Sequence, residues 1–506
     1  MKYFRFLFFY IFLLTVYGYA QIITKGPFLV EPGDKVIRIR WETNQPIDCS
    51  VKFGQKEVLG REVQAKLRAE KHGGYLYEAT LVDLEPGSDY IYQIFAGKQL
   101  SVTKKFRTAD SKADRLRFVA MGDSRSNPDI FKKIIDNTQA ANPDFIISMG
   151  DLVANGGSYD EWEEFYFSIA GGMIDHIPLV STLGDHEGSG DDGELFRHFL
   201  RTDQTTEKQW FSFNYGNAHF ISLDYRHPDS DEMIRWFKED IESADAKWNF
   251  VFMHRPCYNL GGHRSAWGRD QWPELFRQYG VDIVFAGHSH QYERFYPIRP
   301  ERQPDSHPVT YITTGGAGAG LYDVTQNPFL AVAESVNHYV VFEISGDTLR
   351  AKAIRNDNSL LDEFSMIKSQ NEYDDAYLAL TKPQEDLDIL TMFMQAVSLS
   401  IDKIPLDDYP SRAYVDLKST IDDDIDFTIE LSQASQPFYQ MESVSDSLKG
   451  SETKQLQLNI LSKTDMTISR WGNINPKLNL TVSYRYQTKE YTIHGGAIEY
   501  WPGEDY

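Results

Sequence analysis

The chain has 506 residues, of which 41% are hydrophobic and 25% charged, and a net charge of −23; these are the proportions of a globular protein with room for about three domains. The acidic excess argues against a nucleic-acid or anionic-membrane partner. Two cysteines, Cys49 and Cys257, are too few for a disulfide framework, and Cys257 reads as a packing residue despite its closeness to His254.

Taken in chain order, Lys2 and Arg5, an apolar run from Phe6 to Val16, and Gly18-Tyr19-Ala20 before Gln21 have the pattern of an export signal over residues 1–20. The run is shorter than the ~20 residues of a membrane span. A secreted or periplasmic protein without stable membrane insertion is expected. Residues 21–110 read as all β: the stretches around Trp41, Cys49, Tyr77 and Tyr90 alternate at period two between turn residues. Leu84-Glu85-Pro86-Gly87-Ser88-Asp89-Tyr90 resembles the corner of fibronectin type III domains, where a tyrosine hydroxyl ties a strand to the preceding loop.

Residues 111–370 switch to alternating strands and helices. Strands are predicted at LRFVAMGD, FIISMGD, IPLVSTLGD, NFVFMH, VDIVFAGH and VTYITTGG, with helices over Ile130–Gln139, around Trp162 and over Met233–Ile241. Residues 371–506 hold 23 acidic and 11 basic side chains and alternate again, which predicts a mainly β region. The segment Glu385–Ile401 fits helix and strand equally. The run Gly315–Gly320 lacks the lysine and helix of a P-loop and reads as a flexible loop at a site rim; Asp422-Asp423-Asp424 reads as a solvated face.

Five of the predicted strands end in oxygen or imidazole donors: GDS at Asp123, GDLVANG at Asp151, GDHE at Asp185, FMH at His254 and GHSH at His288 and His290. In sheets of this kind ligands bind beyond the strand carboxyl ends. Carboxylates and imidazoles together suit two borderline or hard divalent cations about 3.5–4 Å apart, able to clamp a phosphoryl group.

The ordered series resembles the calcineurin-like metallophosphoesterases, and with His288-Ser289-His290-Gln291-Tyr292-Glu293-Arg294 and the N-terminal β region it looks most like the purple acid phosphatases, from Ile22 to Lys368. The resemblance implies an α/β fold: a metallophosphoesterase β-sandwich flanked by helices, between a fibronectin-like sandwich and a C-terminal mainly β domain. It also implies a hydrolase of phosphate monoesters in which a hydroxide bridging two metal ions (Fe, Mn or Zn) attacks phosphorus. Asp123, Asp151 and His290 would take the first metal, and Asp151, Asp185, His254 and His288 the second. His186 matches the phosphate-facing histidine, and His263 a second substrate histidine that could protonate the leaving oxygen.

Three positions depart from the pattern. Ala154 stands where the colour-giving tyrosinate is expected, so no charge-transfer colour is implied. Arg125 replaces another common ligand and has no lone pair to offer, leaving three protein ligands unless Asn155 reaches in. Asp185 replaces an asparagine and adds a carboxylate, which Arg125 would offset by pairing with Asp185 or gripping phosphate, unless its role is a structural ion pair. Glu293 and Arg294 read as supports behind the ligands. A phosphodiesterase or nucleotide hydrolase on the same site, and a binding or adhesion protein with a vestigial enzyme domain, stay open, as do substrate and oligomeric state.

Overall fold

The computed structural model describes residues 22–110, 115–201, 208–401, 411–433, 435–463 and 478–494; the expected export signal lies outside them. The N-terminal part is two antiparallel sheets. One runs Ile23–Leu29, Ile37–Thr43, Gly74–Leu81, Lys66–Lys71, and the other Arg61–Gln64, Cys49–Gly54, Asp89–Ala96, Gln99–Leu100, with Lys104–Arg107 also on Asp89–Ala96. Their inward residues enclose Trp41, Tyr77, Tyr90 and Tyr92, as alternation at period two requires. The Glu85 N–H donates to the Tyr90 hydroxyl at 2.8 Å, the corner tie that the motif predicts. Buried Lys25 fastens this part to the next, bonding Glu42 and the Tyr159 hydroxyl at 2.7 Å each and pairing with Glu163 at 2.8 Å.

Two seven-stranded mixed sheets follow. The first is ordered Leu179–Ser181, Phe145–Ser148, Arg115–Met121, His338–Ser345, Thr348–Arg355, Leu360–Ser369, Glu372–Tyr373; the second Phe211–Tyr215, Ala218–Ser222, Trp248–Met253, Ile283–Ala286, Thr310–Thr314, Tyr292–Phe295, Leu330–Glu334. They share a core rich in aromatics. Phe118 stacks on Phe342 with centroids 4.8 Å apart and meets Phe220 edge-on at 5.1 Å, geometries that suit the ring quadrupoles.

Helices cover the outer faces. Pro128–Ala140 starts where Asn127 caps the Ile130 N–H and proline occupies the first turn, and it buries Phe131, Ile134 and Ile135. The stretch around Trp162 is one helical run, Tyr159–Ile174, whose middle winds as a π-helix over Trp162–Phe167. Asp231–Ser243 and Trp272–Gln278 cover the second sheet.

The ambiguous segment Glu385–Ile401 is both things. A helix Gln384–Gln395 turns at Ala396 into the strand Val397–Ile401. That strand opens one of two four-stranded antiparallel sheets, with Ser411–Lys418, Thr453–Ser462 and Tyr439–Gln440; the other is Val444–Leu448, Ile425–Leu431, Leu480–Tyr486, Lys489–His494. Their core, including Val415, Phe427 and Tyr484, is continuous through Leu387 and Phe393 with Tyr258 and Trp267 of the preceding part. No helix among the described residues is long and apolar enough to cross a membrane.

Candidate metal centre

Strand direction places the donors. In the first sheet Arg115–Met121, Phe145–Ser148 and Leu179–Ser181 run parallel, so their carboxyl ends deliver Asp123, Asp151 and Asp185 to one edge. In the second, Trp248–Met253 and Ile283–Ala286 run parallel and deliver His254, His288 and His290. One sheet supplies the carboxylates and the other the imidazoles. Where the edges meet, Asp185, His254 and His288 form one group able to hold a metal, and Asp123, Asp151 and His290 another, each with donor atoms within 4.8 Å of one another. The structure thus brings together all six residues expected as ligands.

Imidazole orientation fits a cation. His254 bonds the Met149 carbonyl through Nδ1 at 2.7 Å, which leaves Nε2 fully buried with no hydrogen-bond partner, 3.4 Å from Asp151 Oδ1 and 3.7 Å from Asp185 Oδ2. A lone pair aimed at two carboxylates is repulsive unless positive charge lies between them. Burial alone would lower the His254 imidazole, yet Asp151 and Asp185 outweigh it and lift the group to about 10: the two carboxylates draw positive charge to this spot, whether a proton or a metal ion. His290 repeats the arrangement: Nδ1 meets the Gly320 carbonyl at 2.6 Å and Nε2 faces Asp123 Oδ1 at 3.5 Å. His288 offers Nδ1, 2.9 Å from Asp185 Oδ2.

The backbone is bent to make these approaches. Asp123, Asp151 and His288 have φ of 60°, 55° and 65°, each a strain of about 1–3 kcal/mol for a residue with a side chain. Glycine is required beside them: a Cβ on Gly184 would lie 2.4 Å from Asp151 Oδ1, and one on Gly287 2.4 Å from Asp123 Oδ2. Glu187, which the sequence reading did not single out although it closes the GDHE motif, holds the bends in place. Its buried carboxyl group accepts from the amides of Asp151 at 2.8 Å, Gly184 at 2.9 Å, Leu152 at 2.6 Å and Val153 at 3.2 Å. Burial, then Asp151, pushes it up to about 8.

The arginines correct one expectation. Arg125 pairs with Asp151, Nε to Oδ2 at 3.1 Å, and its Nη2 lies 3.4 Å from His290 Nε2. Asp185 is instead held by Arg255, through Nε to Oδ1 at 2.9 Å and Nη2 to Oδ2 at 3.0 Å. Burial would raise the Asp185 carboxyl, but the facing His254 and His288 rings and the Arg255 guanidinium hold it far below the usual carboxylate range. Arg255 escaped the sequence reading; its position directly after His254 is the only local signal.

The two further histidines sit beside the groups. His186 donates its backbone N–H to Asp151 Oδ1 at 2.9 Å, anchors Nδ1 on the Ala154 carbonyl and keeps Nε2 3.8 Å from Asp151 Oδ2. His263 Nδ1 lies 2.6 Å from His288 Nε2. With His288 Nδ1 free of a proton, His288 donates this bond, and the proton of His263 then sits on Nε2, which makes no hydrogen bond to a described residue.

Asn155 does not reach in: its side-chain oxygen accepts from the Gly157 N–H at 3.1 Å. The run from Gly315 is no loose rim, because Gly315 through Ala319 is buried and the amides of Ala317 and Ala319 donate to the carbonyls of Gly122 at 3.0 Å and Asp123 at 2.8 Å. Glu293 supports the site from behind, accepting from Leu260 and Gly261 amides at 3.1 and 2.7 Å; Arg294 does not, being paired with Asp362 at 2.6 Å. Cys257 is buried and its thiol is pushed up to about 12 by burial, the state of a packing residue. Asp424 bonds Lys449 at 2.7 Å on an exposed face.

Residues 116–292 match the model of the calcineurin-like phosphoesterase family. The chain is 25% identical over 313 residues to acid phosphatase type 7 of Mus musculus, covering 54% of this chain and 70% of that one. It is likewise 25% identical over 307 residues to a probable inactive purple acid phosphatase 1 of Arabidopsis thaliana, covering 49% and 50%, so the relatives include one described as inactive. A purple acid phosphatase from yellow lupin seeds shares the fold, with a TM-score of 0.60 at 18% identity over 70% of this chain and 76% of that one. The strand-end donors, the matched residues and the shared fold agree: this protein is a calcineurin-like metallophosphoesterase related to the purple acid phosphatases, with antiparallel sheets before and after its mixed α/β core.

Proposed function

We propose that the protein hydrolyses phosphate monoesters with two divalent metal ions, Asp123, Asp151 and His290 holding one and Asp151, Asp185, His254 and His288 the other. The observation that carries this reading is the buried, unbonded His254 Nε2 between Asp151 and Asp185, in a centre where every histidine donor faces a carboxylate. When bound, such a metal pair polarises phosphoryl oxygens and lowers the pKa of water.

The chain's own groups do the rest. Arg125 and Arg255 offset the carboxylates so that an anionic ester is not repelled. Arg125, with the partly exposed His186, faces the phosphoryl oxygens. His263, neutral with its proton on Nε2, donates a hydrogen bond to the leaving oxygen; as the bond from phosphorus to the ester oxygen breaks, the alcohol takes up a proton from the attacking water, whose oxygen stays on phosphorus. With Ala154 in place of a tyrosinate the protein is colourless. The N-terminal pattern of residues 1–20 supports export, to the periplasm or outside, with the mature chain beginning at Gln21; sequencing the N-terminus of the exported protein checks this.

The reading is tested by metal analysis together with turnover of nitrophenyl phosphate and of its diester, after addition of iron, manganese or zinc. Two bound equivalents and a monoester preference support it. A diester preference would make the protein a phosphodiesterase, and metal-free protein without turnover would make it a vestigial enzyme.

A further inference from the structure

The loop from Tyr258 to Trp267 carries His263, and its backbone is fastened at both ends of the histidine. The His263 N–H donates to Ser289 Oγ at 3.0 Å, Asn259 Nδ2 donates to the carbonyls of Gly261 at 2.8 Å and His263 at 3.2 Å, and Glu293 takes the amides of Leu260 and Gly261. These contacts come from residues near the metal centre. A second set comes from the far end of the chain.

The Tyr258 hydroxyl donates to Asp388 Oδ1 at 2.5 Å, and Arg264 Nη1 donates to the Met394 carbonyl at 3.2 Å. Asp388 and Met394 both belong to the helix Gln384–Gln395. That helix is a bracket. On one side Leu387 and Phe393 share a core with Tyr258, Leu260 and Trp267; on the other Phe393 stacks on Tyr484 with centroids 4.2 Å apart, and Asp386 pairs with Lys489 at 2.7 Å. Just before it, Lys382 and Pro383 pair in parallel with Ile298 and Arg299. Tyr258 is buried between Tyr311, edge-on at 5.0 Å, and the Arg269 guanidinium at 5.4 Å from its ring, so its hydroxyl has one place to go.

We propose that Asp388, through Tyr258, is a positioning residue for His263, so that the helix Gln384–Gln395 and the C-terminal sheets brace the loop that presents the Nε2–H of His263 to the leaving oxygen. The inference rests on the role given to His263 above. It gives the C-terminal region a part in the reaction without any residue of its own in the centre, because a displacement of about 1 Å in a catalytic group can cost up to 100-fold in rate.

The test uses the full chain with Asp388→Asn and Tyr258→Phe, the second chosen because it keeps the buried ring. Hydrogen exchange of residues 258–267 is measured first, and it needs no turnover. The expected result is faster exchange in this loop in both variants with metal content unchanged. In kinetics, the rate on glycerol phosphate, whose leaving alcohol needs a proton, falls about tenfold or more while that on nitrophenyl phosphate changes by less than about threefold. In a His263→Ala background, Asp388→Asn then adds nothing further. Unchanged exchange in both variants, or an equal loss from Asp388→Asn with and without His263, overturns the proposal. A wild type that holds metal but turns over no ester removes the phosphatase reading instead, and the exchange measurement still decides whether the brace exists.

Discussion

Arg255 grips Asp185 through two hydrogen bonds, 2.9 Å to Oδ1 and 3.0 Å to Oδ2, while the same carboxylate faces His288 Nδ1 at 2.9 Å. A planar guanidinium laid along a carboxylate fixes both its charge and its orientation. Arg255→Ala is therefore expected to weaken metal binding at the group of Asp185, His254 and His288 by about 10- to 100-fold. Titration of metal-stripped protein measures it. Asparagine needs no counter-ion, so the loss should shrink in an Asp185→Asn background; an equal loss in both backgrounds would show that Arg255 does not act through Asp185.

Glu187 makes a different prediction, on stability. Four backbone amides converge on one buried carboxyl group, and removing it leaves them unsatisfied at about 1–3 kcal/mol each before relaxation. Glu187→Ala should lower unfolding free energy by about 3 kcal/mol or more and reduce metal retention. A variant within about 0.5 kcal/mol of wild type in chemical denaturation would mean that water replaces the carboxylate and that the bends at Asp151 and Gly184 hold without it.

For Arg125, the geometry predicts an effect on substrate affinity. Its Nε is engaged by Asp151 and its Nη2 lies beside His290, which keeps a positive charge next to the centre. Arg125→Ala should raise KM for a phosphate monoester about tenfold. Lysine should not restore it, because the ammonium cannot reproduce the Nε contact. Unchanged KM and kcat would assign Arg125 a purely structural pair.

Away from the centre, His338 predicts a pH effect. Its imidazole is fully buried, with Nδ1 2.9 Å from the Val336 carbonyl and Nε2 3.0 Å from Thr314 Oγ1, and burial drops it to about 4. Below the unfolded value of 6.5 the unfolded chain takes up a proton that the folded chain refuses. The contribution is thus complete above that value, falls away as pH drops towards 4, and amounts to about 3 kcal/mol in all. Denaturation at pH 7 and pH 4.5 should show wild type losing about 2 kcal/mol more than His338→Gln. Equal losses would contradict a neutral buried histidine.

The six candidate donors were legible in the sequence because each rides on a short motif that ends a strand, and strand ends are readable from local pattern. Their partners were not. Arg255 reaches Asp185 across 70 positions and from the other sheet, so nothing near Asp185 announces it, and Arg125 was the nearer candidate by motif alone. The Gly315–Gly320 run resembled a loose rim because glycine content says nothing about the Gly122 and Asp123 carbonyls that its amides meet. Glu385–Ile401 looked ambiguous for a physical reason: its apolar residues satisfy both periods, and the change from helix to strand at Ala396 is set by packing against Tyr484 and pairing with Ser411–Lys418.

A two-metal centre built from these donors requires Asp151 to serve both groups at once. Metal content and monoester turnover of Asp151→Asn, measured beside wild type, test it most directly. Two equivalents are expected in wild type, fewer than one in the variant, and a fall in kcat of about 100-fold or more. Two equivalents retained with turnover intact would contradict it.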